Sequence, residues 1–136
     1  MKKEDCIFCK IAKGEIPSQT LYEDDDFRVI LDLGPATKGH ALVLPKEHAG
    51  NIFEISEETV SKAMVVAKRM AVNMAGKLHC DGMNLVQNNG EAAGQTVSHF
   101  HIHIIPRYHG DGQQINWVPG ECTQEELEAV KREIVG

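Results

Sequence analysis

The chain has 136 residues and a formal net charge of −6, from 14 Lys and Arg against 20 Asp and Glu. An acidic chain with no basic run is a poor partner for a nucleic-acid backbone, and no apolar run reaches the roughly 18 residues of a membrane span. The length fits one domain over residues 1–136, long enough to bury a core without disulfides.

Met1-Lys2-Lys3 imitates the start of a signal peptide, but Glu4-Asp5-Cys6 follows where an apolar region would be needed. A cytoplasmic location is therefore expected. In a reducing compartment the pair Cys6 and Cys9 points to metal or redox chemistry. Cys80 and Cys122 stand alone and carry no reactive signature.

Residues Cys6 to Ala12 predict a short helix, with Ile7, Phe8 and Ile11 as its apolar stripe; Gly14 and Pro17 end it. Leu21–Tyr22 and Phe27–Asp32 predict two strands joined by the acidic turn Glu23-Asp24-Asp25-Asp26. Gly34-Pro35 and Gly39 are breaks. His40 to Leu44 predicts a buried strand stopped by Pro45.

Ser56 is a helix cap with Glu57 and Glu58 in the first turn. Val60, Met64, Ala67, Ala71, Met74 and Leu78 recur at steps of four and three, which predicts one apolar helix face from about 57 to 78. Its methionines are expected in a core or subunit interface, and Gly76 is expected to fray the end. Met83 to Asn88 predicts a strand, and Asn89 to Gly94 a loop. Tyr108 to Gly120 is irregular, and Thr123 with Glu126 forms a capping box before a short terminal helix. The sum is α+β, with a mainly antiparallel sheet, a long central helix and a short C-terminal helix.

The densest chemistry lies in His99-Phe100-His101-Ile102-His103-Ile104-Ile105, closed by Pro106 and Arg107. In an extended segment, alternate side chains share a face. That puts the three imidazoles on one side and Phe100, Ile102 and Ile104 against a core. Two chemistries fit the row. His99, His101 and His103 can hold a catalytic zinc with an open fourth position, or a neutral imidazole can attack phosphorus. The second needs an anion-binding surround. Gly94-Gln95-Thr96 and Asn88 supply one, which favours phosphorus chemistry.

The row His-φ-His-φ-His-φ-φ, φ apolar, resembles the signature of the histidine triad (HIT) family. The likeness extends to Ile7-Phe8 and Ile16-Pro17, Asp32 ahead of His40, His40-Ala41-Leu42-Val43-Leu44-Pro45-Lys46, Asn88 and Gly94-Gln95-Thr96. It is similar to bacterial and Hint-like members, with a Fhit-like Ile105-Pro106-Arg107 ending. The resemblance implies the HIT fold and a nucleotide hydrolase or transferase that cuts at the α-phosphate, such as a purine nucleotide phosphoramidase acting on an AMP conjugate. A dinucleoside polyphosphate hydrolase and a non-enzymatic nucleotide-binding regulatory protein are the alternatives.

Carried over by the resemblance, His101 is the nucleophile, with its Nδ1 proton donated to a backbone carbonyl. His103 contacts phosphate or the leaving group, and His40 orients the row. Gly94, Gln95 and Thr96 hold phosphate, Asn88 phosphate or ribose, Asp32 holds the ribose, and Ile7, Phe8, Ile11 and Ile30 form a purine slot. A structural zinc is implied on Cys6, Cys9, His48 and His99. The long helix and the resemblance both point to a homodimer. A segment inserted at Tyr108 to Gln114, relative to Hint members, leaves the reach of Trp117 toward a partner open.

Overall fold

In the computed structural model, residues 4–136 are described; the signal-peptide reading of Met1-Lys2-Lys3 lies outside them. The elements are α1 (Ile7–Ala12), β1 (Thr20–Glu23), β2 (Phe27–Leu31), β3 (Ala41–Pro45), α2 (Glu57–Leu78), β4 (Gly82–Val86), a 3₁₀ turn (Glu91–Ala93), β5 (Ile102–Arg107) and α3 (Gln124–Val135). The five strands form one antiparallel sheet in the order β1-β2-β3-β5-β4. The architecture is the expected α+β. No helix among the described residues is long and apolar enough to cross a membrane.

The sheet separates two apolar layers. On one face, Phe27, Val29, Ala41, Val43, Phe100, Ile102 and Ile104 pack against Ala63, Val66, Ala67 and Met74 of α2. On the other, Ile30, Leu42 and Leu44 are covered by α1 through Ala12, with Phe8 and Ile11 alongside. The register joins Ile30 to Leu42 and Leu42 to His103, so the α1 layer and the histidine row share a face.

The bounds of α2 match its caps: Ser56 Oγ accepts from the Thr59 N–H at 3.1 Å. Its inward face, however, is turned about 40° from the expected stripe. Ala63, Val66 and Met70 join it, whereas Met64 is 51% exposed. Alanines at 63, 67 and 71 let the helix lie close to the sheet, and that close approach sets the rotation. Gly76 does not end the helix. His79 does, in the left-handed conformation at φ 54°, its N–H bonded to the Ala75 carbonyl.

Strand bounds moved for identifiable reasons. Pro45 closes β3 from within, paired with Phe27. It lacks an N–H, so the ladder between β3 and β5 begins at Val43 and Ile102. His99, Phe100 and His101 therefore precede β5 and do not lie in it. The Phe100 N–H goes instead to the Ala49 carbonyl at 2.7 Å. At β4, Gln87 and Asn89 bond to one another side chain to side chain, and the ladder stops at Val86. Gly39, at φ +91°, passes between Leu78 and Pro106 where a Cβ would collide with the leucine. This narrow crossing delivers His40 to the edge of the site.

Candidate active site and metal centre

Cys6 is the N-cap of α1; its Sγ accepts from the Cys9 N–H at 3.4 Å. One helical turn thus presents two thiols to the same point. His48, beyond β3, and His99, ahead of β5, complete the group. Cys9 Sγ lies 3.2 Å from His48 Nδ1 and 3.4 Å from His99 Nδ1. Cys6 Sγ lies 3.4 Å from His99 Nδ1, and the two Nδ1 atoms are 3.3 Å apart. A tetrahedral ion bonded at about 2.3 Å to sulfur and about 2.0–2.1 Å to nitrogen would set S···N near roughly 3.5 Å and N···N near roughly 3.3 Å. The four side chains fit such an ion and could bind a metal. His99 Nε2 faces the Pro45 carbonyl at 2.8 Å. A carbonyl only accepts, so Nε2 carries the proton and Nδ1 keeps its lone pair for the group. Burial holds the His99 pKa down to about 4.

His101 is buried, with Phe8 edge-on to its ring at 4.9 Å. Its Nδ1 meets the His99 carbonyl at 2.6 Å, so Nδ1 is the donor and Nε2 bears the lone pair. Burial pushes its pKa below the ordinary imidazole value, against smaller raising effects from that hydrogen bond and from Asp32.

His40 and His103 read in the opposite sense. The Ala36 N–H donates to His40 Nδ1 at 2.9 Å. In neutral His40 the proton must then sit on Nε2, which lies 3.0 Å from His103 Nδ1. His103 Nδ1 becomes the acceptor, leaving Nε2–H as the outward donor. Burial, then the nearby His101 and His40, bring the His103 pKa down to about 4; burial also lowers that of His40, offset by Asp32. His40 Nε2 is 3.6 Å from Asp32 Oδ2, and Asp32 Oδ1 accepts from the Gly34 N–H at 2.8 Å. Asp32 therefore stands beside the histidine pair.

The phosphate-side residues divide. Gly94, at φ +94°, brings the loop back beside the Asn88 amide. Among the described residues, the Asn88 and Thr96 side chains and the backbone N–H groups of Thr96, Val97 and Ser98 make no hydrogen bond within the chain. Gln95 is bonded within the chain. Its Oε1 accepts from the Gly90 N–H, and its Nε2 donates to the Gly50 and Val97 carbonyls at 2.7 and 2.9 Å. The amide that was expected to reach phosphate is engaged in bracing the loop. Ile30 lies on the face that carries the histidine row. It is 5% exposed and packs with Ala12, Leu42 and Leu44. Ile11 borders the same cluster, and Ile7 is half exposed.

The row does not gather on one ion. Among the described residues, His99 groups with Cys6, Cys9 and His48, while His103 groups with His40 and Asp32. Sequence reasoning missed the Ala36 N–H and the Pro45 carbonyl, which set ring protonation; backbone groups carry no residue-type signal. It also missed that residues 108–113 are built against the Ala36 segment. Trp117 is 82% exposed.

A family model described as the HIT domain matches residues 13–110, and the chain belongs to the HIT family. It is 39% identical to the adenosine 5'-monophosphoramidase hnt1 of Schizosaccharomyces pombe over 130 residues, 95% of each chain. The crystal structure of SMU.412c from Streptococcus mutans is similar with a TM-score of 0.93 at 39% identity, covering 98% of this chain and 85% of that one. A Zn-bound histidine triad family protein from Mycobacterium smegmatis is similar with a TM-score of 0.77 at 38% identity, covering 96% of this chain and 95% of that one.

Proposed function

We propose that this chain is a nucleotide hydrolase that cleaves purine nucleotide conjugates, such as AMP linked to an amine, at the α-phosphate through a nucleotidyl-His101 intermediate. The carrying observation is the contact between His101 Nδ1 and the His99 carbonyl, which leaves an unprotonated Nε2 on the ring. Similarity to an adenosine 5'-monophosphoramidase supports the same substrate class.

In the first step the Nε2 lone pair forms a bond to phosphorus as the bond to the leaving group breaks. His103, neutral at pH 7, gives a hydrogen bond from Nε2–H to the departing atom or a phosphate oxygen; the leaving group takes its proton from solvent. In the second step water adds to phosphorus, the P–Nε2 bond breaks, and the water proton passes to solvent. Thr96, Asn88 and the N–H groups of residues 96–98 hold phosphate oxygens. Asp32 accepts from ribose hydroxyls, and Phe8, Ile7 and Ile11 flank the base.

Cys6, Cys9, His48 and His99 hold a structural zinc. It ties the first helical turn to the segment that carries His101. Met64, Val65 and Val72, exposed on α2, support a homodimer, which sedimentation would read directly.

The test is to trap the intermediate. A slow-releasing AMP conjugate is mixed with protein, the reaction is quenched in denaturant, and the peptide containing His101 is weighed. An added nucleotidyl mass on His101 is the expected result. Turnover with no adduct on that peptide would overturn the reading.

A further inference from the structure

The segment from Tyr108 to Gln113 has no direct role in the proposed activity, and it is densely hydrogen-bonded for a surface loop. Asp111 is its centre. Its carboxylate takes Arg107 Nε at 2.9 Å and Nη2 at 3.0 Å, and the backbone N–H groups of Tyr108 and Gln113, each at 3.0 Å. These donors hold its carboxyl well below the usual range. Arg107 also reaches Asn84 Oδ1 on β4 at 2.9 Å, so the knot is fixed to the sheet. A loop that makes so many internal bonds is rigid, and what it holds in place indicates its use.

It holds the Ala36–Lys38 segment. Gln113 Nε2 donates to the Ala36 carbonyl at 2.9 Å, and Tyr108 Oη donates to the Lys38 carbonyl at 2.8 Å. Between them Thr37 Oγ1 donates to the Pro106 carbonyl. The same segment supplies the Ala36 N–H that faces His40 Nδ1, and the His40 N–H returns to the Thr37 carbonyl at 3.2 Å. Without the loop, the stretch after Gly34-Pro35 would be held only through Thr37 and the Ala36 contact to His40 itself.

We propose that Gln113 and Tyr108 are positioning residues: holding Ala36 and Lys38 respectively, they fix the segment that faces His40, keep the His40 proton on Nε2, and so keep His103 a donor at the phosphate. The role rests on the hydrolase reading for its effect on rate. The placement of the His40 proton does not. If the Ala36 N–H moves away, His40 can carry its proton on Nδ1 and offer a lone pair to His103, whose outward nitrogen is then no longer held as a donor. No residue of the brace touches the reacting atoms.

The experiment uses Gln113→Ala and Tyr108→Phe in the full chain, with Gln114→Ala as a control in the same loop. The readouts are the histidine ring nitrogen shifts by NMR and steady-state hydrolysis of an adenosine phosphoramidate. Each brace variant is expected to move the His40 Nδ1 and Nε2 shifts toward one another, as a mixed tautomer does. Each should lower kcat on the order of fivefold, the worth of one hydrogen bond, with KM unchanged. Gln114→Ala should match the parent in both readouts. Unchanged His40 shifts in both variants overturn the brace, whatever the rates do, and so does a raised KM at constant kcat. A parent protein without turnover, whose His40 shifts still respond to Gln113→Ala, would keep the brace and sink the hydrolase.

Discussion

Two histidine groups lie on one sheet face and differ in what stands behind the rings. In the Cys6, Cys9, His48, His99 group, the far nitrogen of His99 faces a carbonyl. In the Asp32, His40, His103 group, the far nitrogen of His40 faces an N–H. The first arrangement turns a lone pair inward, which suits a cation. The second turns an N–H inward, which suits an acceptor; a metal on His40 Nε2 would require loss of that proton while Nδ1 is already committed. Both groups bring three or more ligand-type atoms close together, so proximity alone does not separate them. One backbone group per ring leaves the first cluster able to bind a metal and sets the second up for proton placement.

The largest effect that can test this division is on His101, which belongs to neither group but takes its orientation from the His99 carbonyl. His101→Ala is expected to lower turnover of an adenosine phosphoramidate by at least about 10³-fold while nucleotide binding, measured by calorimetry, persists. Full activity in that variant would end the nucleophile assignment. His103→Ala should cost on the order of 10²-fold, and less with a conjugate whose leaving group departs without help. An equal loss for good and poor leaving groups would move His103 away from the departing atom.

On the metal side the expected effects are on loading and melting. Cys9→Ser or His48→Ala should abolish tight metal binding and lower the melting temperature, while the residual turnover of folded protein stays near the parent. Cobalt titration sharpens the contrast. One equivalent should bind, with the thiolate charge-transfer absorption of a two-cysteine site, and His40→Ala should leave it unchanged. A second tight equivalent, lost in His40→Ala, would show that the Ala36 N–H does not exclude metal from its group.

Much of this was legible from residue types. Period-two alternation put His101 and His103 on the site face and Phe100, Ile102 and Ile104 in the core. Ser56 and the Thr123–Glu126 box placed two helix starts. Cys6 and Cys9 with His48 and His99 assembled as a group. What could not be read were properties set by tertiary contacts. The rotation of α2 depends on how closely three alanines let it approach. The loss of the Gln95 side chain to loop bracing depends on where Gly50 and Gly90 lie, and the tautomers depend on carbonyls and N–H groups with no side-chain signature. Ile30 could equally have faced base or core, because period two fixes only the face, and α1 covers that face.

The smallest effect is on stability against pH, and it separates the two groups again. His103 has a folded pKa near 4, below the roughly 6.5 of an unfolded imidazole. Between those values the unfolded chain binds the extra proton, so stability is full above about pH 6.5 and declines as pH falls toward 4. One such group contributes a slope of at most about 1.4 kcal/mol per pH unit. His103→Gln keeps an oxygen to accept from His40 but cannot titrate, so its denaturation curves at pH 7, 6, 5 and 4.5 should lose about that much slope. His99 is buried to a similar pKa, yet in metal-loaded protein a proton on its Nδ1 must displace the ion. Acid should therefore act on that group as metal release, visible as loss of cobalt absorption, and a chelator at pH 7 should reproduce it. The Asp32, His40, His103 group should give the smooth slope in loaded and chelated protein alike. A slope that vanished on chelation would place the titrating histidine at the metal and not at His103.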